Sequence, residues 1–227
     1  MKNKLRIIGG DWRSRQLSFV DAPGLRPTPA RVRETLFNWL QYEIFGKQCL
    51  DLYAGSGALG FEAASRGAKS VIQVENNVQA CHCLKDNALA LSATDRIKVV
   101  QSDVLRYLAG DAQAFDVVFL DPPFGRTNPP GADLHLPEGR RAGQPCVTNP
   151  PGADLHLPER RRAGQPCVTL VIQTCRQLEA YGWLAKHAKI YVETERHFDF
   201  SGMPENWRQL KSKSAGEVGY HLFERIE

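Results

Sequence analysis

The sequence predicts an α/β fold: a mostly parallel seven-stranded sheet closed by an antiparallel C-terminal hairpin and preceded by an N-terminal β-hairpin and helix. Three observations predict it. Apolar, β-favouring runs alternate with helical stretches from Gln48 onward in a β-α-β-α-β-α-β order, the order that winds a parallel sheet. Four of those runs end in an acid, at Asp51, Glu75, Asp103 and Asp121, which places four carboxyl groups on the carboxyl edge of the sheet, where open α/β sheets bind ligands. The run Val117 to Phe124 begins as a strand apolar enough to be buried on both faces and is stopped by Pro122-Pro123, which lack N–H donors.

Composition sets the bounds. The 227 residues suit one domain, or one and a half, with a sizeable core. No stretch approaches the ~18 consecutive apolar residues of a membrane span. The start Met1-Lys-Asn-Lys-Leu-Arg6 has no apolar run behind it, so no secretory signal is expected and the location is taken as cytoplasmic. The six cysteines form no paired framework and are read as reduced thiols. Cys81-His82-Cys83 lacks a second ligand pair at zinc spacing, so it is assigned to a helix surface and no metal is expected. Net charge is +4, with Arg6, Arg13, Arg26, Arg31 and Arg33 crowding the first 33 residues. A basic arm of this kind suits a polyanion such as nucleic acid.

In chain order, Leu5 to Leu17 reads as a hairpin turning at Gly9-Gly10-Asp11. Arg26-Pro-Thr-Pro29 opens a helix with Thr28 as N-cap and Pro29 as first helical residue, followed by Val32, Leu36, Trp39 or Leu40, and Ile44 at helical spacing. Arg31 and Arg33 fall in its first turn, where cations oppose the helix dipole; this suggests that they face an anion, nucleic-acid phosphate or a cofactor carboxylate. The first division is therefore set at 1–46, a hairpin and basic helix covering RNA or cofactor, with the main domain at 47–227.

Gln48 to Asp51 is a strand running into Gly55-Ser56-Gly57, with a helix from about Ala58 and Leu59, Ala63 and Ala64 on its inner face. Gly55 and Gly57 let the backbone approach a ligand. A dinucleotide fold would use such a turn to carry a pyrophosphate, but Asp51 at its start repels phosphate. A sulfonium-bearing, phosphate-free ligand fits better, and S-adenosylmethionine is the expected cofactor. Ser70 to Glu75 is the next strand, and a carboxylate there can hold both ribose hydroxyls. Ile97 to Asp103 is the third, with Asp103 placed to accept from an adenine amine. Asp121-Pro-Pro-Phe124 then offers a carboxylate, the Pro122 carbonyl and an aromatic ring. That set suits a planar base with an exocyclic amine, Asp121 and Pro122 accepting its two hydrogens and Phe124 stacking on the ring. Leu170 to Leu178 reads as a helix ended by Gly182, Lys189 to Glu193 as a strand, and Trp207 to Ser212 with Val218 to Glu224 as the closing hairpin.

With these residues in view, the chain resembles the Rossmann-like class I methyltransferases, and most closely the RsmD family of 16S rRNA guanine-N2 methyltransferases. The resemblance rests on Arg6-Ile-Ile-Gly-Gly10, Arg26-Pro-Thr28, Arg31 to Asn38, Asp51 to Gly60, Asp121 to Phe124, Gly182-Trp-Leu184 and Ile190-Tyr-Val-Glu193. It implies methyl transfer from S-adenosylmethionine to the N2 amine of a guanine (guanine 966 in the family) in 16S rRNA, presented by the small ribosomal subunit or an assembly intermediate; a monomer is expected. The alternatives are a DNA adenine-N6 methyltransferase and a non-catalytic RNA-binding assembly factor. The chain departs from the family at residues 128–169: Asn128 to Thr148 is repeated almost unchanged as Asn149 to Thr169, differing only at Gly139 against Arg160. Rich in Pro, Gly and Arg and lacking an apolar period, this tandem insertion is expected to be a mobile loop, with an added RNA-contacting arm as the sharper reading.

Overall fold

The computed structural model describes residues 2–20, 27–122 and 168–227. Strands β1 (Lys2–Arg6) and β2 (Gln16–Val20) pair antiparallel, and α1 (Ala30–Trp39) follows. The main sheet is built from β3 (Gln48–Asp51), β4 (Ser70–Glu75), β5 (Ile97–Gln101), β6 (Phe115–Leu120), β7 (Leu184–Glu195), β8 (Trp207–Ala215) and β9 (Val218–Arg225). Its order is β5-β4-β3-β6-β7-β9-β8, parallel from β5 through β7 and antiparallel at β7/β9 and β9/β8. Helices α2 (Ala58–Ser65), α3 (Val78–Ala90), α4 (Val104–Leu108) and α5 (Val168–Ala180) connect the strands. The chain winds outward from β3 to β5, then returns to place β6 beside β3. That reversal opens a crevice at the carboxyl ends of β3 and β6.

Alternation along the strands sorts the core into two layers. Cys49, Val117 and Phe119 face one side with Phe37, Phe61 and Leu84 of α1, α2 and α3; Leu50, Val118 and Leu120 face the other with Leu108 of α4 and Cys175 and Leu178 of α5. Leu5, Ile7, Trp12, Leu17 and Phe19 of the N-terminal segment belong to the first layer. The described residues of 1–46 therefore share the core of the sheet rather than standing apart from it.

The join is polar as well. Glu62 of α2, fully buried, accepts from Ile8 N (2.9 Å), Gly9 N (2.8 Å) and Arg66 Nε (2.9 Å), and lies 3.7 Å from Arg33 Nη1. A buried carboxylate survives only with such partners. The expected tight turn at Gly9-Gly10-Asp11 is instead part of a wider loop folded onto the end of α2, where Asp11 N donates to Ser65 O (2.7 Å) and Trp12 N to Ser65 Oγ (2.9 Å). Gly10 has φ +74°, and a Cβ there would lie 1.9 Å from Ser65 O, so only glycine permits this approach.

Other expectations also change. Pro29, not Thr28, precedes the first helical residue of α1, and no side chain caps the helix; the Thr28 hydroxyl is drawn to Asp121 instead. Helix α1 ends at Trp39, and Ile44 is buried from the following turn. Cys81 and Cys83 are buried, leaving only His82 of that trio on the surface, because α3 is covered on a second side by β2: Asn87 exchanges hydrogen bonds with Ser18 N (3.0 Å) and Ser18 O (2.8 Å). Strand β7 starts at Leu184, earlier than read, since its first residues pair with Phe115 across an irregularity that contains His187 at φ +57°. Helix α5 begins at Val168, inside the end of the second repeat; the expectation of a mobile loop otherwise falls on residues outside the described ones. Among the described residues no helix is long and apolar enough to cross a membrane.

Candidate active site

The strand-end acids lie along the carboxyl edge of the sheet, but they do different work. Asp51, 2% exposed, points beneath the glycine turn: its Oδ2 accepts from Gly60 N (2.9 Å) and Gln73 Nε2 (3.4 Å). This corrects its assignment as a cofactor contact; it clamps the first turn of α2 against β3 and β4. Burial pushes its pKa up to about 7, partly opposed by the Gly60 and Gln73 hydrogen bonds. Gly57 is left-handed (φ +77°), and a Cβ there would lie within 2.7 Å of Phe61 and Leu84, so the turn is built by packing as much as by ligand access. Ser56 is buried within the same turn.

Glu75, largely buried, sits at the end of β4 and receives Gly55 N on Oε2 (2.8 Å) and Asn77 N on Oε1 (2.8 Å). Each oxygen keeps acceptor capacity, enough for two vicinal hydroxyls. Asp103 is exposed; its Oδ1 caps α4 by accepting from Leu105 N (3.0 Å) and Arg106 N (3.2 Å), leaving Oδ2 for a ligand amine. The turn from Asp51 to Ser65 contains no lysine or arginine. Acceptor groups without a cation fit a phosphate-free nucleoside bearing positive charge, as S-adenosylmethionine is.

Asp121 follows β6 directly, across the crevice from the turn. Its Oδ2 accepts from Thr28 Oγ1 (2.9 Å). Part of its surface is open, yet enough protein surrounds it that desolvation dominates and raises its pKa to about 6, against the Thr28 hydrogen bond and the neighbouring Glu193 carboxyl, which lower it. Pro122 is buried beside it. Phe124 and Arg26 lie outside the described residues.

The N-terminal arginines divide. Arg6, Arg13 and Arg31 are exposed on the surface. Arg33 is 4% exposed and faces inward, donating from Nε to Thr28 O (3.1 Å) and from Nη1 to Arg6 O (3.1 Å), beside Glu62. The anion that the first turn of α1 called for is Glu62, not an external phosphate, which corrects the placement of Arg33 among the substrate contacts.

Three residues at this site were not singled out for it. Glu193, near the end of β7, is 4% exposed, accepts from Tyr191 Oη (2.8 Å) and comes next in register to Asp121. Desolvation, then the Asp121 charge, raise its pKa well above the usual carboxylate range. Its signal was available, since β7 is one more parallel strand with an acid near its carboxyl end. Thr28 and Tyr191 carried no such mark.

Comparison with known proteins agrees with this arrangement. An Escherichia coli structure provisionally named a methyltransferase superposes with a TM-score of 0.75 at 36% identity, covering 99% of both chains. A Thermus thermophilus 16S rRNA N2 G1207 methyltransferase, solved with AdoMet and guanosine, shares the fold at TM-score 0.61 and 20% identity, over all of this chain and 50% of that one. Sheet order, glycine turn and strand-end carboxylates thus define a Rossmann-like methyltransferase. A family profile described as Conserved hypothetical protein 95 matches residues 5–134 and 167–224, leaving 135–166 between its two segments. Ribosomal RNA small subunit methyltransferase D of Escherichia coli is 38% identical over 222 residues, 98% of this chain and 90% of that protein, and its Haemophilus influenzae counterpart 37% identical over 226 residues, 98% and 95%. The chain belongs to this family.

Proposed function

We propose that the protein methylates the N2 amine of a guanine in 16S rRNA, using S-adenosylmethionine, and that it does so as a cytoplasmic monomer on the small ribosomal subunit or its assembly intermediate. The observation that carries the reading is Asp121: a carboxylate held by Thr28 at the carboxyl end of β6, next to a buried proline and across the crevice from a phosphate-averse glycine turn. Glu75 would hold the ribose hydroxyls, the backbone of Gly55, Ser56 and Gly57 would line the nucleoside, and Asp103 would accept from the adenine amine. When bound, the cofactor supplies an electrophilic methyl group on sulfur. The chain supplies alignment. Asp121 Oδ and the Pro122 carbonyl accept the two amine hydrogens, which directs the nitrogen lone pair along the line of displacement; orienting reactants in this way accounts for a large share of a rate enhancement. The base must leave its stack to reach them, and Arg6, Arg13, Arg26 and Arg31 would bind the surrounding phosphates.

The test is a parallel methylation assay with labelled S-adenosylmethionine on small ribosomal subunits and on duplex DNA. Label in the subunit rRNA, as N2-methylguanosine, is expected. Label in DNA as N6-methyladenine would favour the DNA enzyme, and none in either, with cofactor binding intact, would favour a non-catalytic assembly factor.

A further inference from the structure

A buried acid stands behind Asp121 for which alignment of the amine alone gives no use. Asp121 and Glu193 come next in register after the paired Leu120 and Val192 of the neighbouring parallel strands β6 and β7, so the two acids lie side by side. Two carboxylates enclosed side by side repel, and the pair is relieved when one of them carries a proton. The surroundings say which. Glu193 is almost wholly enclosed and Asp121 is partly open to the crevice. Tyr191 Oη donates to Glu193 Oε1 at 2.8 Å, which leaves the second Glu193 oxygen to bear the proton toward Asp121. Thr28 donates to Asp121 Oδ2. The other titratable groups acting on the pair, among the described residues, are Asp51 from β3, Tyr191 from β7 and, through Tyr191, Tyr220 from β9. Among the described residues no lysine or arginine forms an ion pair with either carboxyl. Among the described residues a proton, rather than a cation, is the means of keeping the pair at a single negative charge.

We propose that Glu193 is a positioning residue for methyl transfer: in its protonated form it donates a hydrogen bond to Asp121, keeping Asp121 ionised and aimed at the incoming amine. The proposal rests on the function proposed above. In the transfer step the amine lone pair forms the N–C bond, the C–S bond breaks with its electrons leaving on sulfur, and the amine proton passes to Asp121. The pair goes from one shared proton to two and then returns one to solvent through the open side of Asp121. Aspartate pairs that share a proton show how strongly such neighbours set each other's ionisation.

The experiment compares the full-length protein with Glu193→Ala and Glu193→Gln, reading single-turnover rate against pH on small ribosomal subunits, cofactor affinity by calorimetry, and carboxyl titration by 13C NMR. In the parent, the rate should fall on the acid side as pH drops through about 6, the Asp121 value. Glu193→Ala removes the donor, so the Asp121 carboxylate is less stabilised: the acid limb should move to higher pH and the rate at neutral pH should fall at least tenfold, with cofactor affinity within about threefold of the parent. Glu193→Gln can accept from Tyr191 through its carbonyl and donate to Asp121 through its amide, so the limb should return to near its parental position and most of the rate with it. A parental pH profile in Glu193→Ala, or a limb in Glu193→Gln displaced as far as in Glu193→Ala, would overturn the proposal. A parent protein that methylates neither RNA nor DNA would instead count against the proposed function. The NMR titration then still decides the pair: one carboxyl protonated at neutral pH in the parent and lost in Glu193→Gln supports it, and two ionised carboxylates overturn it.

Discussion

Arg33 offers a sharp test, because its sequence position and its structural position point to different outcomes. Truncating it to alanine removes donors from the carbonyls of Thr28 and Arg6, each at 3.1 Å, and takes a cation from beside fully buried Glu62. Breaking a buried pair costs about 3–5 kcal/mol when the remaining charge is stranded. Glu62 keeps Arg66 and the N–H groups of Ile8 and Gly9, so the lower end, ~3 kcal/mol, is expected. In a protein of this size that is a fall of about 6–12 °C in melting temperature. Methyl transfer should fall too, since Arg33 fixes the Thr28 carbonyl and Thr28 holds Asp121. Arg31→Ala, on the exposed face of the same turn, should leave the melting temperature unchanged and weaken subunit binding with a shallower salt slope. Calorimetric melting and salt-dependent binding of both variants provide the comparison. An Arg33→Ala protein that melts like the parent while binding RNA more weakly would refute the inward placement.

Glu75→Ala should weaken S-adenosylmethionine by about 1.5–3 kcal/mol, the scale of hydrogen bonds to a charged group; unchanged affinity by calorimetry would remove Glu75 from the cofactor site. Asp51 has a folded-state pKa of about 7 against 3.8 for the free side chain, so the folded protein holds that proton more tightly and loses stability as pH rises from about 4 through 7, by up to ~4 kcal/mol. Asp51→Asn keeps the acceptor for Gly60 N and can donate to Gln73 Oε1, which has no partner; it should melt above the parent at pH 8 and close to it at pH 5, and a variant less stable than the parent at pH 8 would contradict the burial account. Deleting residues 128–165, which spares α5, should leave melting temperature and turnover at or above parental values, because closing about 40 extra residues costs only ~1–2 kcal/mol. Weaker RNA binding with a shallower salt slope after the deletion would favour the arm reading.

The sheet was legible because its signals are local. Each parallel strand is a short apolar run with an acid at or just beyond its end, and Pro122-Pro123 marks where β6 must stop. What the sequence hid depends on where side chains point once elements pack. Arg31 and Arg33 are two positions apart on one helical turn, yet one faces water and the other Glu62, a partner 29 positions away that nothing local announces. Thr28 looks like an N-cap, but Asp121, 93 positions along the chain, takes its hydroxyl. Asp51 and Glu75 looked alike as strand-end acids. Their difference lies in the glycine turn, which closes over Asp51 and only touches Glu75. Glu193 bore the same mark as the other four and acquires meaning from β7 lying next to β6.

The central claim, that Asp121 presents a guanine amine for methylation, is tested most directly by mass spectrometry of small-subunit rRNA. The rRNA would come from cells lacking the gene and from the same cells given the parent or Asp121→Ala. The account predicts that one N2-methylguanosine is lost with the gene, restored by the parent, and not restored by Asp121→Ala even though that variant binds S-adenosylmethionine. Unaltered modification in cells lacking the gene, or full restoration by Asp121→Ala, would contradict it.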